Sequence, residues 1–547
     1  MTDIQSCDVL IIGAGINGCG VFRDLSAQGV ACVMIDRADF CSGASAASSR
    51  LMHGGLKYLE TGDFDLVRES LIERNRLLVN AAHLVRPLPT VLPLRAHWAG
   101  LVPTVARFLG AKTSLRERGS LISRLGMTVY DIFARSNRVM PTHRYLRRKR
   151  LDAHVSGLDS GINSAILYYE GQITAAERLG LELIEQGEAL NAESRAYNYA
   201  RIQEIAGDAI RISHPEGELR IRARVIINAA GAWIDAANSD LGQSSRLMRG
   251  SKGSHLVVRN TALHDALNGH MVYFGTPDGR VNLCYPFEEA VIIGSTDIPV
   301  ENPDLAQCDT QETLYMLDAV SGIFPDIKLS VDDIRYRFCG VRPLPNATGD
   351  IGQVTRNHSI ARIALPDGTP VLCLVGGKWT TFRAFAEQAS DQVLDLLKRS
   401  RLCDTRKMQI GGGRDYPGER DARSAWVTRV AQDSGLTEDR VAVLLSRYGT
   451  CAEVVARACD KEAPLRDLPG YSDRELDWIC RNERVVHLSD LLLRRTLVAM
   501  CGALTPGVIA HAAAIAATAL GWNAARTEEE IAEMLRLVED SVLGNAA

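Results

Sequence analysis

Gly13, Gly15 and Gly18 stand in the order G-x-G-x-x-G, with Ala14 and Asn17 between them. In such a run the first glycine permits a tight turn, the second lets backbone approach a pyrophosphate, and the third lets a helix lie close to a strand. A helix starting there aims its free N–H groups and its dipole at phosphate. Asp36, 21 residues after Gly15, is an acid placed to accept the ribose hydroxyls of an adenosine. The glycines alone do not separate NAD from FAD. The next stretch of chain favours FAD: Cys41-Ser42-Gly43-Ala44-Ser45-Ala46-Ala47-Ser48-Ser49, then Arg50-Leu51-Met52-His53-Gly54-Gly55-Leu56-Lys57-Tyr58, takes the place of another short βαβ unit. Its small residues and hydroxyls would let backbone lie against a long cofactor with a bulky ring. A flexible Gly/Ser loop is the plainer alternative.

The elements that must position these residues read as strand, turn, helix, strand. Residues 8–12 are an apolar run, the helical pattern ends near Gly29, and residues 30–35 are a second apolar run. Apolar positions at helical spacing predict an amphipathic helix over 63–84, and another helix is expected over about 170–184. Strands are expected at 209–212, 219–227, 255–258, 271–274, 281–285 and 290–293. Beyond Gly411-Gly412-Gly413-Arg414-Asp415-Tyr416-Pro417-Gly418, Ala, Leu, Arg and Glu recur at helical spacing, so that stretch reads as a linker before a helical domain.

A chain of 547 residues exceeds one ordinary core, and 46% hydrophobic with 23% charged residues excludes disordered, collagen-like and disulfide-scaffold classes. The 13 cysteines are scattered and never spaced C-x-x-C. No metal site is expected, therefore, and the thiols read as reduced and cytosolic, with no secretory signal at the N-terminus. Residues 507–522 are too short and too weakly apolar to span a bilayer. Net charge is −4, yet residues 95–150 hold 13 Lys/Arg against Glu117 and Asp131. Interleaved with Trp98, Leu101, Val105, Phe108 and Leu109, these bases compose a surface attracted to anionic lipid; a solvated basic face or a site shared with an anionic substrate is the alternative. Nucleic acid is not expected, because no aromatic stacking platform interrupts the bases.

In order along the chain come Ile11-Ile12-Gly13-Ala14-Gly15-Ile16-Asn17-Gly18, Ala47-Ser48-Ser49-Arg50-Leu51-Met52-His53-Gly54-Gly55-Leu56-Lys57-Tyr58-Leu59-Glu60 and Asn228-Ala229-Ala230-Gly231-Ala232-Trp233. Next are Lys252-Gly253-Ser254-His255, Ile293-Gly294-Ser295-Thr296-Asp297, Gly340-Val341-Arg342-Pro343-Leu344, Gly376-Gly377-Lys378-Trp379-Thr380-Thr381 and Leu493-Arg494-Arg495-Thr496. This ordered set resembles the FAD-dependent, quinone-linked glycerol-3-phosphate dehydrogenases. The resemblance implies an α/β fold: an FAD-binding Rossmann-like domain of the glutathione-reductase/amino-acid-oxidase type, a β-sheet substrate domain and an all-helical C-terminal domain. Its parts would be FAD domain at 1–92, 171–245 and 336–400, a basic membrane-facing segment at 93–170, the substrate sheet at 246–335, a linker at 401–418 and the helical domain at 419–547.

It further implies oxidation of sn-glycerol 3-phosphate to dihydroxyacetone phosphate, with electrons passing to a quinone at the inner face of the cytoplasmic membrane, and it leaves room for a homodimer. The cofactor would meet Gly13, Ala14, Gly15, Asn17, Gly18, Asp36, Ser45, Ser48, Ser49, Arg50, His53, Gly54, Gly55, Gly231, Gly376, Gly377, Lys378 and Thr380. Among reacting groups, His255 is the candidate base, since imidazole titrates near neutral pH. Arg342, before the stiff Pro343, is the candidate phosphate fork, and Lys378 would steady charge on the reduced ring. Lys57 would assist phosphate or flavin; the family commonly has Arg there, and a fork becomes a point charge. The loop before Ser48 also carries fewer hydroxyls than is usual in the family. A hydrogen-bonded structural histidine, an internal salt bridge and a solvent-facing lysine are the plainer readings of the first three. Open alternatives for the whole are a related polyol phosphate such as erythritol phosphate, an oxidase using dioxygen, and a non-catalytic nucleotide-binding membrane adaptor.

Overall fold

The computed structural model describes residues 4–55, 63–95, 127–128, 130–131, 139–207, 209–276, 278–346, 358–465, 467–468 and 470–543. The first strand, β1 (Ile4–Ile12), runs into helix α1 (Ile16–Ala27) and then β2 (Cys32–Ile35). β1 and β2 pair in parallel, and so do β2 with Arg195–Tyr197, β1 with Gly217–Asn228, and Gly217–Asn228 with Pro370–Val375. Alternation along β1 explains why it is apolar throughout: Val9 and Ile11 enter one core with Phe22, Leu183 and Phe385, while Leu10 and Ile12 enter another with Val33, Ile226 and Val371. These five strands form the doubly covered parallel part of an eight-stranded sheet, to which Ser359–Ala364, Ala209–His214 and Arg201–Ala206 add antiparallel, and the carboxyl ends of the parallel strands form one rim.

A second sheet of ten strands is built around Met248–Val258, flanked by Ala290–Gly294 and Ile298–Val300 on one side and Ile334–Pro345 on the other. It continues through Val281–Phe287, Met271–Gly275, Val85–Leu94 and Ser164–Ile173 to Leu51–Met52. Its two faces differ. Leu256 and Val258 pack with Met316 and Phe324, from and beside helix Thr310–Ser321, whereas Val257 packs with Tyr285 and Phe338. Period two therefore places Gly253, His255 and Val257 on one side, and Ser254, Leu256 and Val258 on the helix side.

Three expectations are corrected. Residues 170–173 continue the strand Ser164–Ile173, held in register with Val85–Leu94, and the helix starts only at Ala176, ending at Leu190. Ile334–Pro345, expected in the FAD part from residue 336 on, pairs instead with Met248–Val258 in the second sheet. The expected linker is packed chain: a Cβ on Gly412 would stand 1.8 Å from the Tyr448 carbonyl oxygen, and one on Gly413 would stand 2.3 Å from that of Asn80. The helical domain comes after it, with Arg420–Ser434, Glu438–Tyr448, Asp473–Asn482, Pro506–Leu520 and Ala524–Leu543 among its helices. No described helix is long and apolar enough to cross a membrane. Most of the basic segment (96–126, 129, 132–138) and Lys57 lie outside the described residues.

Because the backbone of this segment abuts that of the helical domain at Gly412, we expect Gly412→Ala to force them apart, at the ~1–3 kcal/mol typical of overpacking. Differential scanning fluorimetry should show a melting temperature several degrees lower, with Gly418→Ala, where an added methyl meets open space, unchanged.

Candidate active site

At the rim where β1 and Gly217–Asn228 end, Gly13 adopts φ +101°, a conformation open to glycine and strained for other residues. A Cβ there would also stand 2.7 Å from the Ala229 carbonyl oxygen, and one on Gly18 would fall 1.9 Å from that of Gly13. The turn is thus closed by bare backbone. α1 begins at once with Gly15 as its N-cap, a residue with no side chain of its own to cap the helix. Gly13, Gly15, Ile16 and Asn17 face a cavity of about 850 Å³ that runs from Asp36 and Gln203 to His255 and Arg342.

That volume lies in the upper part of the ~300–1,000 Å³ range of small-molecule sites, as an elongated dinucleotide requires. The donor set suits FAD as well. Asp36 accepts the Ala14 and Ala38 N–H groups at 2.7 and 3.0 Å, and burial pushes its carboxyl up to about 6. Asn17 keeps its Oδ1 buried without a hydrogen-bond partner among the described residues, while Ser45 Oγ accepts the Ile16 N–H at 2.9 Å. Trp379 Nε1 donates to the Ser45 carbonyl at 3.0 Å and fixes the small-residue loop.

The structure brings most of the expected residues to this one cavity: Ser45, Ser48, Ser49, His53, Gly231, Gly377, Lys378 and Thr380 line it with Gly13, Gly15, Asn17, Asp36, His255 and Arg342. Others stand behind it. Ala14 and Gly18 close the turn, and Gly55 and Gly376 do not line the wall. Gly54 donates its N–H to Glu170 at 2.8 Å, a carboxylate that His53, Arg74 and this amide hold below the usual range against the opposing effect of its burial. Arg50 departs most from expectation. Its guanidinium is buried against Glu177, at 2.5 and 3.0 Å, and also donates to the Thr174 carbonyl. It is an internal ion pair, not a cavity-lining group.

His255 is 1% exposed. Its ring stacks on Phe338 at 4.8 Å with an interplanar angle of 6°, and Nε2 lies 2.7 Å from Ser49 Oγ. Burial chiefly, with Arg342 and Arg50 adding, lowers the imidazole to about 3, so it is neutral at ordinary pH and able to accept a proton. Arg342 spreads over Gly253, where a Cβ would be 2.1 Å from the guanidinium. It donates to the Thr296 and Lys252 carbonyls at 2.9 and 3.4 Å, to Asp297 at 3.3 Å and to Ser295 Oγ at 3.0 Å.

What the sequence did not reveal is the support behind this wall. Glu312, at the first turn of Thr310–Ser321, accepts from Ser254 Oγ at 2.8 Å and Thr296 Oγ1 at 2.5 Å, and pairs with Lys252 Nζ at 2.8 Å. One buried carboxylate thereby holds the strand that carries His255 and the turn whose carbonyl aims Arg342. The signal that could have found it is a capping box, Asp309 with Glu312, just after a strand-rich stretch.

The family model described as FAD dependent oxidoreductase matches residues 8–383, and that described as C-terminal domain of alpha-glycerophosphate oxidase matches residues 403–527. A D-erythritol 1-phosphate dehydrogenase of Brucella abortus is 31% identical over 91% of this chain and 95% of its own. A glycerol-3-phosphate dehydrogenase of Synechocystis sp. is 29% identical over 90% and 89%. In fold, the chain is similar to the glycerol-3-phosphate dehydrogenase from Bacillus halodurans complexed with FAD, at TM-score 0.76 and 21% identity over 98% and 95% of the two chains. With the matched span covering the glycine turn, both sheets and every described group of the cavity wall, the chain belongs to the FAD dependent oxidoreductase family.

Proposed function

We propose that this protein oxidises the secondary alcohol of a short polyol phosphate, sn-glycerol 3-phosphate first, to the ketone, and that its electrons leave to a quinone at a membrane surface. The observation that carries this reading is the meeting, in the dinucleotide cavity, of a buried neutral imidazole and a backbone-anchored guanidinium. When bound, FAD supplies the two-electron acceptor for the carbinol hydride. Arg342 binds the phosphate, its charge and fork matching two oxygens. His255 receives the hydroxyl proton at Nε2, the nitrogen that faces Ser49, and the two sites are electrically linked. Arg342 is one cause of the weak basicity of His255, so a phosphate dianion resting on Arg342 offsets that field and strengthens the base once substrate is in place. An unphosphorylated polyol offers no such compensation. Lys378 and His53 lie along the same wall as further polar groups toward substrate and ring.

The likeness to a D-erythritol 1-phosphate dehydrogenase favours a second reading, a four-carbon polyol phosphate oxidised by the same groups. Membrane contact rests on the basic composition of residues 95–150.

Adding glycerol 3-phosphate anaerobically to the yellow protein should bleach its flavin band, and erythritol 1-phosphate in parallel ranks the two readings. An unchanged spectrum with both would remove the proposal. Arg342→Gln should raise KM for the phosphorylated substrate about 10- to 100-fold, the scale of a lost charged hydrogen bond, in steady-state assays with a quinone analogue.

His255 also makes a pH prediction. Its folded value, about 3, lies below the ~6.5 of an unfolded histidine, so between these limits the unfolded chain binds one more proton and stability falls as pH falls. The slope is about 1.4 kcal/mol per pH unit per such group. Denaturant melts of His255→Gln from pH 7 to 4 should be less acid-sensitive than those of the unaltered protein.

A further inference from the structure

Leu493-Arg494-Arg495-Thr496 lies in the helical domain, remote from the cavity wall, yet both arginines reach back to a segment that forms it. Arg494 Nε donates to Asp39 Oδ2 at 2.6 Å, and the Arg495 fork donates to both Asp39 oxygens at 2.8 Å. The Asp39 side chain has no exposure. It sits in the middle of residues 36–42, a loop whose Asp36, Arg37, Ala38 and Ser42 line the end of the cavity. Asp39 points outward to the arginines while Asp36 points inward to the Ala14 and Ala38 amides.

A second segment of the same cavity end is held by the same cluster. Asn198 Nδ2 donates to Asp39 at 3.0 Å, and Tyr199 donates its N–H to the Ala38 carbonyl at 2.9 Å and its hydroxyl to Asp490 at 2.6 Å. Asp490 in turn accepts from Arg494 at 2.5 Å. Ala200 N–H donates to the Asp36 carbonyl at 2.7 Å, and Ala200, Arg201, Ile202 and Gln203 face the cavity. Two strand-end loops that would surround an adenosine are therefore fastened, through one aspartate and one tyrosine, to two arginines of another domain. Arg178 belongs to the same cluster, since it pairs with Glu483 at 2.8 Å and donates to the Arg495 carbonyl at 3.2 Å. By contrast Gly412 meets the helical domain elsewhere: a methyl added there would press on the Tyr448 and Gly449 backbone and on neither loop.

The geometry points to a function for the helical domain: through Arg494 and Arg495 it clamps the adenosine end of the FAD site, and these two are positioning residues for cofactor retention. Neither touches the cavity; both act through Asp39. The inference concerns only the ADP half of the cofactor and is independent of which alcohol is oxidised.

The test compares two variants of the full-length chain, Arg494→Lys and Gly412→Ala, which loosen the contacts of the helical domain at different places. Each is stripped of flavin and titrated with FAD, read by flavin fluorescence, and with ADP as competitor; melting temperatures are recorded alongside. Arg494→Lys should weaken FAD about tenfold or more and weaken ADP by a similar factor, whereas Gly412→Ala should leave both within about twofold even where it melts earlier. FAD and ADP affinities unchanged in Arg494→Lys, or weakened equally in Gly412→Ala, would overturn the clamp and leave the arginines as domain glue. Should Arg494→Lys not accumulate as folded protein, Tyr199→Phe, which removes only the bond to Asp490, is read in the same way, with a loss of about threefold expected and none overturning the idea.

Discussion

The site depends first on a contact in which no side chain takes part: the Gly13 carbonyl beneath Gly18, and the Ala229–Ala230 backbone against Gly13. Gly13 N–H donates to the Ile35 carbonyl and Ala229 N–H to that of Ile12, both at 2.8 Å, so the ladder of the parallel sheet runs on past its strands and ends in the turn itself. A methyl at either glycine would have to separate α1 from the turn, or Gly217–Asn228 from β1. The cavity opens where those strands stop, and every group in it is placed relative to that closed turn.

The second sheet contributes by alternation. One strand, Met248–Val258, sends Gly253 and His255 toward the cavity and Ser254 toward Glu312. The carboxylate behind the wall and the imidazole in front of it are thus fixed by the same three residues of backbone. Burying Glu312 would be costly for an unpaired ion, but a lysine, two hydroxyls and the Asp309 amide surround it. The outcome is a rigid mount for Arg342, one of whose terminal nitrogens meets carbonyls on that mount.

Much of this was legible because its signals are local. The glycine spacing, the acid at the end of β2 and the apolar runs each report on a few consecutive residues, and the strands expected over 255–293 reappear with ends moved by a few positions. What escaped was set by distant partners. Arg50 sits inside a motif run and reads as a cofactor contact, but Glu177, 127 residues away, takes its fork. Residues 170–173 carry a helix-compatible pattern, yet ten consecutive pairings with Val85–Leu94 hold them extended. Asp39 is an unremarkable acid two residues beyond the loop's exposed arginine until Arg495, 456 positions later, closes on it. Propensity yields to tertiary pairing at each of these places.

The anchoring of Arg342 also bears on specificity. Its position is set by carbonyls at Thr296 and Lys252, which belong to the sheet and do not depend on what is bound. A phosphate seated there presents the same dianion whether three or four carbons extend from it. If Arg342 takes the phosphate as proposed, discrimination between polyols falls to the remaining wall, which includes His53, half-exposed beside Tyr273, and Lys378 with Thr380 at the start of a helix. One methylene is worth only about 1–3 kcal/mol in a pocket, while a hydroxyl left facing an unmatched polar group loses more. Chain length alone therefore separates the substrates weakly, and the added hydroxyl of the longer polyol, met or not met by these side chains, is the stronger determinant.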